Sequence, residues 1–383
     1  MAAPDPVALT RDLVRCPSVT PDDAGTLAIL EEVLGRLGFR CRRLRFGEGA
    51  AAVDNLYARL GTRAPLLAFA GHVDVVPPGD RADWSVDPFA AVIREGRLYG
   101  RGAADMKSGI AAFVAAVGRF LERHGEPPGS IALLITADEE GEAVHGTRRL
   151  LEWAAAEGER LDACLVGEPT SLAEVGDLAK IGRRGSLTGR LTVFGRSGHV
   201  AYPQRADNAA HRLVAMLHAL IAEPLDEGSP HFEPSGLQVT SIDIGNPASN
   251  LVPGRAEAVF NIRFNDRHDR ASLEGLIRQR LDACGGRYEL ETSCSGEAFL
   301  TPPGPLSEIL SAAVAEVRGR RPRLDTSGGT SDARFIRRYC PVIELGIVGR
   351  TMHQVDEAVE LADIELLTRI YRAFLERFLL RRD

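Results

Sequence analysis

The chain of 383 residues carries 53 acidic against 46 basic side chains, a net charge of −7, with 44% hydrophobic and 26% charged residues. That balance points to a soluble globular protein long enough for two cores, and it argues against a nucleic-acid binder, since the densest basic run, Arg40-Cys41-Arg42-Arg43-Leu44-Arg45, reads as a solvated edge. No apolar run approaches membrane-spanning length, and Pro4, Asp5, Pro6 and Asp12 interrupt the stretch where a secretory leader needs an apolar core, so a cytoplasmic location with no membrane partner is expected.

Apolar residues recur at helical spacing over residues 6–14 and 26–37, the second stretch closed by Gly38. Short apolar runs at 66–70, 131–136 and 163–166 predict strands, with a helix over 103–121 between the first two. Strand, helix, strand in that order predicts an α/β fold with a parallel sheet covered on both faces, and such sheets bind ligands beyond the carboxyl ends of their strands. From Arg183 the texture changes. Alternating segments at 186–194, 237–244 and 256–263, with amphipathic stretches at 208–222 and 272–284, predict an α+β unit. The α/β texture resumes with a helix over 306–318, a strand over 341–346 and a helix over 362–379. The expected organisation is therefore a large domain in two parts, 1–183 and 298–383, with an insertion at 184–297. The six cysteines form no C-x-x-C pair and fit reduced thiols.

Several candidate site residues sit just past these strands. His72 and Asp74 share a face if the strand continues, so His72 can hold a metal while Asp74 fixes its imidazole. Asp105 lies in a glycine-flanked turn at a predicted helix start, where its two oxygens can bridge two cations. Asp138, Glu139 and Glu140 crowd like charge in a way that favours a cation, and adjacent Glu139 and Glu140 can divide base and ligand roles. Glu168 follows the run 163–166, and His353 stands in Thr351-Met352-His353-Gln354-Val355-Asp356-Glu357. Two histidines and three carboxylates suit a pair of zinc ions with one bridging carboxylate. A nucleophile elbow, a Walker A loop and a dinucleotide fingerprint are all missing.

These segments, together with GRGAADMKSG (100–109), KIGRRGSLTG (180–189), SGHVAYP (197–203), SGGTSDARF (327–335) and MHQVDE (352–357), resemble the dinuclear-zinc deacylase and exopeptidase family over nearly the whole chain, most closely its desuccinylase branch. The resemblance implies a zinc-exopeptidase-like catalytic domain with a mixed, largely parallel sheet, and an inserted α+β domain through which a homodimer forms. It implies hydrolysis of a small N-acyl amino acid, a succinyl amide first and an acetylated one as the alternative, with two Zn2+ per subunit and Co2+ as a substitute. His72 and Glu168 would hold one ion, Glu140 and His353 the other, and Asp105 would bridge them. Asp74 would orient His72, Glu139 would act as general base and acid, and His199 would stabilise the oxyanion from across the dimer. Arg183, Tyr202, Asn250, Arg263 and the loop Ser327, Gly328, Gly329, Thr330 match positions that contact substrate. The peptide Asp105–Met106 would be cis, and Ala333 and Gln204 depart from the pattern without touching a proposed ligand.

Overall fold

The computed structural model describes residues 2–380 and divides into two compact units. The first contains the residues up to 181, 301–325 and those from 331 onward; the second contains 182–300 and the short stretch 326–330.

In the first unit, Leu66–His72 runs parallel to Ser130–Thr136 on one side and to Ala163–Val166 on the other, and Val342–Glu344 extends the parallel set. Antiparallel Val53–Leu60 and Arg40–Phe46 continue the sheet past Ser130–Thr136, while Leu178–Lys180 and Arg323–Asp325 complete its other end. Every residue of Leu66–His72 and Ser130–Thr136 is buried, which is why these strands read as continuous apolar runs. Phe69 stacks on Phe113 at 4.1 Å, and Tyr371 meets both rings edge-on, so helices Ser108–His124 and Leu361–Leu379 cover that face. Tyr57 points to the opposite face, where Trp153 of helix Thr147–Ala156 meets it at 5.3 Å. Each aromatic pair adds about 0.5–1.5 kcal/mol beyond the area it buries.

The helix expected from residue 103 begins at Ser108, because Asp105 (φ −119°, ψ 96°) and Met106 (φ −132°, ψ 29°) leave the helical region. The Asp105–Met106 peptide is cis. Strands Arg40–Phe46, Val53–Leu60 and Arg287–Gly296 were not anticipated: the first and last lie at sheet edges, where one neighbour and a solvated face leave no apolar run to detect, and in Val53–Leu60 the polar Asp54, Asn55 and Arg59 interrupt the run. Arg42 and Arg45 on the first of these pair with Glu157 at 3.2 Å and Asp54 at 2.8 Å, so the basic run is a solvated edge as read.

Helix Ser108–His124 meets the sheet closely enough that a Cβ added at Gly109 would lie 2.5 Å from the carbonyl oxygen of Gly167. Gly109→Ala, which in an open helix would gain up to about 1 kcal/mol, is therefore expected to lose about 1–3 kcal/mol through overpacking. Denaturant midpoints decide this, and an unchanged or raised midpoint contradicts the close contact.

The second unit is a four-stranded antiparallel sheet in the order Gly236–Asp243, Arg255–Phe264, Gly185–Phe194, Arg287–Gly296. Leu187, Leu191, Phe260 and Ile262 form its core with Leu213 and Met216 of helix Ala209–Ile221 and Leu273 and Ile277 of helix Arg270–Cys284. The helix starts are fixed by side chains: the Asn208 oxygen accepts from the Ala210 and His211 amides, and Asp269 and Ser272 cap each other reciprocally. All six cysteines are free thiols, and burial pushes Cys41 up to about 11 and Cys340 up to about 12, so neither is a nucleophile at neutral pH.

Candidate metal centre

Five strand ends and turns of the first unit bring the expected side chains together. His72 is the last residue of the buried central strand, and Glu168 follows the parallel neighbour Ala163–Val166 by two residues. Asp105 enters from the irregular turn before helix Ser108–His124, Glu140 from the loop after Ser130–Thr136, and His353 from a turn at φ 63°.

Asp105 lies at the middle. Its Oδ1 is 3.1 Å from His72 Nε2 and its Oδ2 is 3.2 Å from His353 Nε2. Glu168 Oε1 stands 3.7 Å from His72 Nε2, and Glu140 Oε1 stands 2.8 Å from His353 Nε2. Two triads result, His72–Asp105–Glu168 and Asp105–Glu140–His353, sharing one carboxylate. In a tetrahedral site with metal–donor bonds of about 2.0–2.2 Å, neighbouring donors are about 3.4 Å apart. The observed separations of 2.8 to 3.7 Å lie either side of that spacing, so the donor set fits two small divalent cations.

Electrostatics agree. Burial alone would push the Asp105 carboxyl up, but hydrogen bonds from His353 and His72 hold it well below the usual carboxylate range. Burial likewise opposes charge on His72, yet Asp105, Glu168 and Asp74 raise it well above an ordinary imidazole, and the hydrogen bonds to Asp105 and Glu140 raise His353 to about 10. A negative field that holds protons on two imidazoles is also one that attracts cations. Glu139 is half-buried, and burial first, then Glu168 and Asp332, push its carboxyl well up.

Two local expectations need correcting. His72 Nδ1 is hydrogen-bonded at 2.9 Å to the main-chain oxygen of Asp74, whereas the Asp74 carboxylate stands 3.7 Å away. That carboxylate instead accepts from the amides of Glu139 (3.2 Å) and Glu140 (3.1 Å), bracing the acidic loop, and burial pushes it up to about 6. Asp74 thus orients His72 through its backbone, because the chain turns immediately after the strand. Nor do the three consecutive acids share one spot. Asp138 turns away and accepts from the amides of Ala143, Val144 and His145. Sequence reasoning also gave no role to Arg101 and Glu357, both buried, or to Lys107, whose ammonium donates to the Cys16 carbonyl at 3.0 Å. A cation beside a glycine-rich turn and a terminal acid in MHQVDE are weak signals by themselves.

The remaining candidates belong to the second unit. His199 is exposed, and its Nδ1 accepts from the Ala201 amide at 3.1 Å, which leaves the proton of a neutral ring on Nε2. Tyr202 is exposed beside it, with ring centroids 5.9 Å apart, and Asn250 is exposed with its carbonyl accepting from Val200. Arg183 is buried and donates to the Gly329 carbonyl at 3.1 Å, fixing the loop that holds Ser327, Gly328 and Thr330. Arg263 is half-buried in its strand, and burial together with neighbouring Arg184 lowers its affinity for a proton.

Residues 68–377 match the model of peptidase family M20/M25/M40. The chain belongs to that family. It is 63% identical to the succinyl-diaminopimelate desuccinylase of Rhodospirillum centenum, over 98% of each chain, and 59% identical to the protein of the same name from Rhodospirillum rubrum, again over 98% of each. Among solved structures it resembles the M20 metallo-carboxypeptidase Sso-CP2 of Sulfolobus solfataricus, with a TM-score of 0.79 at 17% identity over 99% of this chain and 100% of that one. It also resembles the Bacillus subtilis protein YXEP, a dinuclear metal-binding M20 peptidase, with a TM-score of 0.72 at 14% identity over 98% of each chain. Those two likenesses establish the M20 fold, within which the two triads stand at the carboxyl ends of the parallel strands.

Proposed function

We propose that the chain hydrolyses N-succinyl-diaminopimelate to succinate and diaminopimelate, with two zinc ions replaceable by cobalt, in the cytoplasmic route to lysine and diaminopimelate. The full-length 63% identity to a protein named for that activity carries this reading, and the shared position of Asp105 between two imidazoles gives it chemistry. His72 and Glu168 would hold one ion and Glu140 and His353 the other, with Asp105 offering one oxygen to each. When bound, the pair supplies Lewis-acid polarisation of the amide carbonyl and activation of water.

The protein's own groups do the rest. A carboxylate oxygen of Glu139 takes the proton of the attacking water and returns it to the amide nitrogen as the C–N bond breaks, releasing succinate and the free amine. A carboxyl pushed up by burial suits a group that must give its proton back near neutral pH. The Nε2–H of His199 donates to the developing oxyanion. Arg183 and Arg263, with Tyr202, Asn250 and the loop of Ser327, Gly328, Gly329 and Thr330, recognise the carboxylates of the substrate; a guanidinium fork matches that geometry.

Release of succinate from N-succinyl-diaminopimelate, assayed with and without chelator beside N-acetylornithine, tests the reading. Chelator-sensitive release with preference for the succinyl amide is expected; preference for the acetyl amide overturns it. Because hydrogen bonds to Asp105 and Glu140 raise His353 to about 10 in the cation-free protein, cation uptake at its site is expected to expel a proton, and affinity there to rise with pH up to about that value. Calorimetry in buffers of different ionisation enthalpy measures that release, and uptake without protons contradicts the ligand assignment.

We also assign the homodimer contact to the second unit. Support comes from the exposed edge strand Gly236–Asp243, which carries Ile242, and from Val214 and Ile221, exposed seven residues apart on one helix face. If His199 serves the partner's site, mixing Glu139→Ala with His199→Ala restores activity in heterodimers, at one site of each. Confirmed heterodimers without recovery place His199 in its own subunit's site or outside the reaction.

A further inference from the structure

His353 is the outlying donor of the centre: its side chain is 46% exposed, whereas His72 is buried, and its backbone occupies the left-handed region. An exposed histidine on a strained turn needs something to hold it. Beneath it lies a fully buried ion pair, Arg101 Nη1 to Glu357 Oε2 at 2.7 Å, that the hydrolytic chemistry does not use.

The bonds of this pair run to both sides of the centre. Glu357 Oε1 accepts from the amides of Ala104 (2.8 Å) and Asp105 (3.1 Å), and its Oε2 also accepts from the Gly102 amide at 3.1 Å. With Arg101, four donors occupy the four acceptor positions of one carboxylate. The main-chain nitrogen of the bridging aspartate is therefore tied directly to Glu357. On the other side, Arg101 Nη1 donates to the Gln354 carbonyl at 3.1 Å and Nη2 to the His353 carbonyl at 3.3 Å. The guanidinium carbon lies over the Trp84 ring, 5.2 Å from its centroid, a cation–π contact that adds to its hold. Asp356 adds a lateral tie, accepting from the amide and hydroxyl of Ser85 at 2.8 and 3.0 Å.

We propose that Arg101 and Glu357 are positioning residues that set the distance between Asp105 and His353, and so determine affinity at the Asp105–Glu140–His353 site while leaving His72–Asp105–Glu168 largely unaffected. The asymmetry follows from the connections. His72 and Glu168 are held by buried parallel strands, whereas the His353 turn is joined to the Asp105 turn through this pair. A lysine at 101 would keep the charge but lose the planar fork that reaches Glu357 and two carbonyls together. A glutamine at 357 would turn an amide NH2 toward backbone N–H donors.

This inference rests on the two-cation reading above, and the experiment separates the two. Purified enzyme is equilibrated with buffered Co2+ at graded free concentrations, and cobalt content and d–d absorption are followed for the parent chain, Arg101→Lys, Glu357→Gln and His353→Ala, with circular dichroism to check folding. A parent chain that takes up fewer than two cobalt ions sinks the two-cation reading, and this inference with it. With two steps in the parent, the step removed by His353→Ala is expected to weaken roughly 10- to 100-fold in Arg101→Lys and Glu357→Gln, while the other stays within about twofold. Folded variants whose two steps both match the parent, or weaken equally, overturn the proposal. Should Glu357→Gln fail to fold, Arg101→Lys decides alone, since it retains the charge opposite Glu357.

Discussion

Asp105→Ala is expected to release both cations and to lower turnover by at least about 10³-fold, the upper cost of removing one preorganised electrostatic partner. The reason lies in its two oxygens, one facing each imidazole. Without them each cation keeps two protein donors, one imidazole and one glutamate, where catalytic zinc sites hold three. The fold should survive, because the turn is held through the main chain of residues 102, 104 and 105 by Glu357 rather than through the Asp105 side chain. Metal analysis after dialysis, beside the thermal midpoint, reads both effects. A folded Asp105→Ala protein that retains two ions would falsify the bridging role.

The second large effect separates base from ligand. Glu139→Gln should keep both cations and lose about 10²- to 10⁴-fold in kcat, the usual contribution of a general base. Glu139 belongs to neither donor triad, and its loop is braced by main-chain bonds to Asp74 that the substitution leaves intact. Loss of the cations in parallel with activity would show instead that Glu139 is a ligand.

Much of the centre was legible in the sequence because three of its donors, His72, Glu140 and Glu168, follow short apolar runs, and a run such as Leu66–His72 marks a strand buried on both faces whose end faces the rim. Convergence of His72, Asp105, Glu140, Glu168 and His353 could be expected from placement at strand ends and turns together with the family resemblance, which alone singled out Asp105 and His353. The direction of individual bonds could not. Asp74 and Asp138 each spend their carboxylates on backbone amides, and nothing in a run of acids distinguishes a ligand from a loop brace. Helix Ser108–His124 was extended too far toward its start because Ala103, Ala104 and Met106 are good helix formers, and the departure at Asp105 is imposed by the tertiary bonds to Glu357. The edge strand Arg40–Phe46 escaped because consecutive Arg42 and Arg43 put arginines on both faces and break any two-residue alternation, a pattern indistinguishable from a solvated loop until Val53–Leu60 is seen beside it.

The order of the donors along the chain has a temporal meaning. His72, Asp105 and Glu168 precede the second unit, while His353 follows it, as does the strand Val342–Glu344 that lies against Ala163–Val166. Synthesis from the amino terminus therefore makes the three donors of one triad early, then the whole second unit, whose four strands are contiguous, before Glu357, which holds the Asp105 turn, and His353 emerge. During that interval the nascent chain carries the open edge of Ala163–Val166. The dinuclear state, and with it hydrolysis, is withheld until the two parts of the first unit have met.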